Sequence, residues 1–378
     1  SFRMNQKFFN YATGLTMTNK KFDALFGKPA RKPETEELQQ FHMDIAASLQ
    51  VVTEMIILKI TKDISKEFKI KNLCLAGGVA LNCVANGKIL KESTFDNIWI
   101  QPAAGDAGGS LGAAQALWHN EFKKPRRVRN SDSMRGCYLG PKFSEKEIEK
   151  ELKYLNGIFS KHSKREVIEK TALAISQNKA IGWFNGRMEF GPRALGSRSI
   201  LGNAKSPETQ KNLNLKVKFR ESFRPFAPSV LEEECSNWFD LQVPSPYMLL
   251  VAEINEDKKI LNQEIDNLNG LDKLKLIRSD IPAVTHVDFS ARIQTVSQET
   301  NPDYYELIKE FFHLTGCPVI VNTSFNVRGE PIVFSPRDAF KCFMGTNLDM
   351  LVLENFILKK EDQDKKLLKS YLNKYKLD

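Results

Sequence analysis

Two strand–glycine loop–helix cycles follow one another between Asn72 and Phe122, and they constrain the fold more than any other feature of the chain. The apolar run Asn72–Ala76 opens into Gly77-Gly78, and a short helix follows through Val84 to Leu90. A second strand, Asn97–Gln101, opens into a loop holding Gly105, Asp106, Gly108 and Gly109, and a helix is predicted over Ser110–Phe122. Repetition in this order predicts an α/β layer. Ahead of it, Ile45, Leu49, Val52, Ile56, Ile60 and Ile64 recur at spacings of three and four, which predicts a long helix ending near Phe68.

Past a polar, basic, Pro-broken stretch, Lys123–Ser133, the pattern changes to a mixed one. Helices are predicted at Ser144–Leu155, Arg165–Gln177, Asp303–Leu314 and Pro336–Phe343. Strands are predicted at Ala180–Phe184, Tyr247–Ile254, Val284–Val287, Pro318–Val321 and Met350–Leu353, with a polar excursion around Asp257–Asp280. A chain of 378 residues exceeds the roughly 250–300 at which single cores stop growing, so two or three domains are expected. The boundaries read as a first domain over 1–125, a linker over 126–133 and a second domain over 134–378.

Six cysteines lie far apart with no CxxC pair, which argues against a zinc ribbon and a disulfide framework. No run of about 18 apolar residues is present, and the N-terminus has no apolar secretory core, so a cytoplasmic location is expected. No GxxxxGK[ST] or HExxH occurs, which removes P-loop and zincin chemistry.

What remains is cationic. Of a net charge of +9, most arises between Gly186 and Pro228, where nine Lys or Arg face three acids. Arg193, Lys218, Arg220 and Arg224 are interleaved there with Gly, Pro and Phe instead of compensating Glu, so an anion site is favoured over a solvated face. Gly77 and Gly78 let backbone approach an anionic group, with Asn82 at the helix start within reach of a ribose or phosphate. A tight turn is the plain alternative. Asp106 either caps the next helix or ligates a metal. Asn322, Ser324, Asn326 and Arg328 emerge after an apolar strand, where α/β ligands sit. Thr285–Arg292 adds His286, whose role is open, and Arg292.

The stretches LCLAGGVALNCVANGKIL, IWIQPAAGDAGGSLGAA, GRMEFGPRALGSRSIL, VKFRESFRPFAPSVL, THVDFSARIQTV and VIVNTSFNVRGEPIV together resemble the NodU/CmcH-type O-carbamoyltransferases from about Tyr11 to Leu358. The resemblance implies half of an actin/sugar-kinase-like (TsaD-like) domain followed by a YrdC-like α+β domain. It implies that the YrdC-like part makes carbamoyl adenylate from carbamoyl phosphate and ATP with Mg2+, and that the TsaD-like part passes the carbamoyl group to a hydroxyl of a small-molecule acceptor. By position, Asp106 matches an aspartate ligand of an iron-type divalent metal. Gly77, Gly78 and Asn82 match the nucleotide loop. Arg193, Lys218, Arg220, Arg224, Arg292 and Arg328 match the cationic site, with Asn322, Ser324 and Asn326 at its end.

The resemblance also implies that the first half of the TsaD-like domain, with the metal-binding histidines and most of the acceptor site, lies outside this chain. A missing N-terminal half or a partner subunit is expected to supply it, making the chain an excised piece, a proteolytic remnant or one subunit of a split enzyme. Two rival readings are threonylcarbamoyl transfer to tRNA, which the basic charge favours, and a nucleotide-binding fragment without catalysis. The clustering of cations in motifs suited to small anions makes nucleic acid the weaker partner, and no membrane partner is expected.

Overall fold

The protein's structure, a computed structural model, describes residues 2–32, 35–92, 95–128, 132–218, 225–260, 268 and 270–372. They fall into two compact units that divide between Phe68 and Lys69.

The first unit holds α1 (Lys20–Phe26) and α2 (Gln40–Phe68). The Asn19 side chain accepts the Lys21 amide at the start of α1, and Gly27 ends it in a left-handed conformation. The three-and-four spacing of the isoleucines is realised in α2, a helix of 29 residues.

In the second unit, β1 (Asn72–Leu75) and β2 (Asn97–Ile100) pair in parallel, with α3 (Cys83–Glu92) between them and α4 (Gly108–Ala116) after them. A π-helical turn over Leu117–Glu121 carries α4 almost to the predicted end. The chain then builds α5 (Glu145–Tyr154), β3 (Ser160–Lys161), α6 (Lys164–Ser176), β4 (Ile181–Phe184), β5 (Arg198–Asn203), α7 (Pro207–Lys216), β6 (Ala227–Leu231), α8 (Cys235–Trp238) and β7 (Leu250–Glu253). It continues with β8 (Ser290–Val296), α9 (Pro302–Thr315), β9 (Val319–Ser324), α10 (Pro336–Met344), β10 (Met350–Leu353), β11 (Phe356–Lys359) and α11 (Lys365–Leu372).

Nine of these strands form one mixed sheet in the order β3-β11-β10-β4-β5-β9-β6-β8-β7. β4 runs parallel to β10 and β6 parallel to β8, while β5 and β6 flank β9 antiparallel. The α/β expectation therefore holds in its general form. Strands β4, β5, β6 and β10 are buried along their whole length, and β4 and β10 read as short apolar runs without alternation. The helices over them have local starts. Ser144 with Glu147, Ser163 with Glu166 and Ser335 with Asp338 form capping boxes on α5, α6 and α10.

The strand expected at Val284–Val287 is absent. Pro282 opens a 3-10 turn over Pro282–Val284, and β8 starts only at Ser290. Between them the chain turns, with the His286 amide donating to the Ser290 carbonyl and Phe289 held at φ +61°. Short apolar runs do not separate a strand from a tight turn, and Asp288 decides here by accepting the Ser290 amide and hydroxyl. In the polar excursion the described residues form 3-10 turns at Glu256–Lys258 and Gly270–Lys275. Among the described residues, no helix is long and apolar enough to cross a membrane. All six cysteines are free; four are buried, Cys83 is half-buried and Cys74 is exposed.

Candidate functional site: an arginine-lined cavity

The glycine-rich loop between β4 and β5 owes its shape to one buried acid. Glu189 is 6% exposed, and its Oε1 accepts the amides of Leu195 at 2.8 Å, Ser197 at 2.7 Å and Arg198 at 3.3 Å. Burial pushes this carboxyl upward, against the pull of those amides and of Arg198. Arg198 itself is fully buried. It stacks 3.5 Å from the Phe184 ring centroid and donates to the carbonyls of Asn185, Gly186 and Ser197. It is a framework residue. The loop wraps tightly because Gly191, at φ +137°, lies against the Pro102 carbonyl, which a Cβ would meet at 3.0 Å.

The loop delivers Arg193 to a cavity of about 380 Å3 that is also lined by Cys83, Val84, His286, Arg292, Asn322 and Ser324. Cys83 and Val84 open α3, whose start is capped by Asn82 Oδ1 accepting the Ala85 amide at 3.1 Å. Helix α3 is pressed onto the sheet. The Asn86 side-chain amide donates to the Leu249 carbonyl at 3.1 Å, and a Cβ on Gly87 would sit 2.2 Å from the Val251 carbonyl oxygen. Arg292 comes from β8, and Asn322 and Ser324 from β9.

Among the described residues, charge in this cavity is uncompensated. Arg193 Nη2 reaches the Leu81 carbonyl at 3.4 Å, while the Nε atoms of Arg193 and Arg292 are buried without a hydrogen bond among the described residues. No described carboxylate forms an ion pair with either. Burial pulls the Arg193 guanidinium down to about 10, and the positive charge of Arg292 adds to that pull. Two guanidinium groups facing one hollow, beside the amides that open a helix, make a site for an anion.

Lys218 lies beside this cavity, 4% exposed. Its ammonium donates to the Ser324 carbonyl, to Ser324 Oγ at 3.2 Å, and to the carbonyl and Oδ1 of Asn326 at 3.0 and 2.7 Å. Ser324 Oγ in turn donates to Asn326 Oδ1 at 2.7 Å. Asn322 is oriented from behind. Gln294 Nε2 donates to the Leu195 carbonyl, so Gln294 Oε1 accepts from Ser229 Oγ at 2.6 Å and from Asn322 Nδ2 at 2.8 Å. Gln294, Ser229, Glu189 and Cys83 escaped sequence reasoning although each lies within one of the quoted stretches; all but Cys83 act through other residues.

Arg328 is exposed and does not line the cavity. Arg220 and Arg224 lie outside the described residues. Gly77 and Gly78 sit in the turn before α3, where the Gly77 amide donates to the Ala104 carbonyl at 2.8 Å, and they do not line the cavity. Asp106 is exposed, and its side chain does not cap α4, whose N-cap is Ala107. Among the described residues, no group of three or more His, Cys, Asp or Glu side chains is placed to hold a metal. Asp106 therefore offers one exposed carboxylate, with no second ligand grouped beside it among the described residues.

The family model for the carbamoyltransferase N-terminus matches residues 1–115, and that for the carbamoyltransferase C-terminus matches residues 172–360. An uncharacterized protein of Synechocystis sp. is 56% identical over 366 residues, covering 96% of this chain and 59% of that protein. Nodulation protein NolO of Bradyrhizobium diazoefficiens is 41% identical over 324 residues, covering 85% of this chain and 55% of that protein. Nodulation protein U of Rhizobium fredii is 34% identical over 275 residues, covering 73% and 41% respectively. The chain thus spans about half the length of these relatives. With both terminal family models matched, and with relatives of 41% and 56% identity over most of its length, the chain belongs to the carbamoyltransferase family.

Proposed function

We propose that the cavity binds carbamoyl phosphate and the phosphates of ATP, and that the chain contributes to making carbamoyl adenylate, from which the carbamoyl group passes to a hydroxyl of a small-molecule acceptor. The observation that carries this reading is the pair Arg193 and Arg292, facing one hollow with no described carboxylate to neutralise them. A volume of about 380 Å3 falls in the range of small-molecule pockets, ~300–1,000 Å3.

On this reading, water first releases phosphate from carbamoyl phosphate, leaving carbamate. A carbamate oxygen then attacks the α-phosphorus of ATP and pyrophosphate departs. The acceptor hydroxyl finally takes the carbamoyl group and AMP leaves. Negative charge is dense at each stage, so the protein's tasks are positioning and charge stabilisation. Arg193 and Arg292 hold phosphate oxygens, the first amides of α3 add partial positive charge, and Lys218 keeps the Ser324–Asn326 turn in shape. Mg2+ would arrive with the nucleotide. A TsaD-like half before the linker and a YrdC-like part after it belong to the same proposal.

The test is carbamoyl-phosphate-dependent exchange of labelled pyrophosphate into ATP. Exchange that disappears in Arg193→Ala, with the fold intact, is the expected result. Full exchange in a folded Arg193→Ala, Arg292→Ala double variant would overturn the assignment of this cavity.

A further inference from the structure

The arginine cavity holds one side chain that a grip on phosphate does not employ, the imidazole of His286. Its main chain is fixed on every side. The His286 amide donates to the Ser290 carbonyl at 2.9 Å, and its carbonyl accepts from the Phe289 amide at 3.1 Å and from Arg278 Nε at 3.1 Å. Arg278, 2% exposed, also donates to the carbonyls of Lys273, Leu276 and Thr285. That buried guanidinium therefore ties the approach to β8 into one rigid turn. The ring itself lines the cavity with Arg193 and Arg292, and forms no hydrogen bond among the described residues.

Guanidinium groups only donate hydrogen bonds. Arg193 and Arg292 can grip the phosphate of any acyl phosphate, and they cannot tell a carbamoyl group from an acetyl group of the same shape. The two differ in NH2 against CH3, so discrimination needs an acceptor aimed at the amide. Ser324 is committed to the Lys218 network, and Asn322 donates through Nδ2 to the Ala194 carbonyl and to Gln294 Oε1, while its Oδ1 is fully buried and forms no hydrogen bond among the described residues. Burial pulls the affinity of His286 for a proton down; Asp288 opposes this and the nearby Arg292 and Arg278 reinforce it. The balance favours the neutral ring, which keeps a lone pair on one nitrogen.

We infer that His286 is the specificity-determining residue that accepts a hydrogen bond from the carbamoyl NH2 and so selects carbamoyl phosphate over acetyl phosphate. This role rests on the cavity being the binding site for carbamoyl phosphate, as proposed for the function.

The experiment is calorimetric titration of the chain with carbamoyl phosphate, acetyl phosphate and inorganic phosphate, for wild type, His286→Leu and His286→Gln. Wild type is expected to prefer carbamoyl over acetyl phosphate. His286→Leu should lower that preference by about 10- to 100-fold while leaving inorganic phosphate binding within a few-fold of wild type. His286→Gln, which retains an acceptor, should recover part of the preference, and thermal melting checks that each variant is folded. An unchanged carbamoyl-to-acetyl ratio in folded His286→Leu overturns the role of His286 and leaves the cavity assignment standing. A wild type that binds phosphate and both acyl phosphates equally does the same. A wild type that binds none of the three overturns the cavity assignment and the role of His286 together.

Discussion

Arg193, carried by a loop wound around the buried Glu189 carboxylate, and Arg292, carried by β8, turn their charges onto one hollow, and the second pulls down the proton affinity of the first. Like charges are held together only where the surrounding framework fixes both. Here the amides on Glu189 and the sheet register do so. Removing one such donor typically costs on the order of ~3 kcal/mol of transition-state stabilisation. Arg193→Ala and Arg292→Ala are each expected to lower pyrophosphate exchange by about 100- to 1,000-fold with little change in melting temperature.

Lys218 predicts a different phenotype. Its ammonium satisfies two carbonyls and two side-chain oxygens while almost fully buried. Lys218→Met takes the ammonium from the Asn326 carbonyl, at about 1–3 kcal/mol for a buried group, while Asn326 Oδ1 keeps the Ser324 hydroxyl and the Ser324 carbonyl keeps the Asn326 amide. The variant should melt well below wild type and lose exchange as well. A Lys218→Met protein as stable as wild type would show that the Ser324–Asn326 turn does not depend on this lysine.

Gly87 tests the seat of α3. A methyl group there would lie 2.2 Å from the Val251 carbonyl oxygen, too close for either backbone to remain in place. Gly87→Ala should cost about 1–3 kcal/mol by overpacking and should weaken phosphate binding, since the start of α3 lines the cavity. Thermal melting and phosphate titration on the same sample read both effects.

Lys360 gives a pH dependence. Its ammonium donates to the carbonyls of Phe343 and Thr346 where α10 ends, 4.1 Å from the Phe343 ring centroid, and burial pulls it from 10.5 down to about 8. The unfolded chain then binds a proton that the folded one has lost, so stability rises as pH climbs from about 8 toward 10.5. Across that window the melting temperature of wild type should gain on that of Lys360→Met. Parallel curves would contradict the burial effect.

Where a segment has strong periodicity or a distinct loop, the sequence was enough. The isoleucine spacing located α2, and the two glycine loops located β1, α3, β2 and α4. The buried strands β5, β6 and β8 were missed. β5 begins with Arg198 inside a Gly-Arg run that reads as a binding loop, and only the stack on Phe184 and the carbonyls around it turn that arginine inward. β6 carries Pro228 and Ser229 in a strand of five residues, too short for a pattern. The cations at the site were legible as a charge excess without compensating acids. Their sorting was not. Arg193 and Arg292 face the cavity, Lys218 is turned to Ser324 and Asn326, Arg198 is framework and Arg328 faces solvent, and each outcome depends on contacts distant in sequence.

The contact of Gly87 with Val251, like the hydrogen bond from Arg193 to the Leu81 carbonyl, joins the segment matched by the N-terminal family model to the segment matched by the C-terminal one. Neither segment carries a whole pocket. A gene cut between codons 115 and 172 would yield one polypeptide owning the helix start and another owning both guanidinium groups, and anion binding would reappear only when the two are mixed.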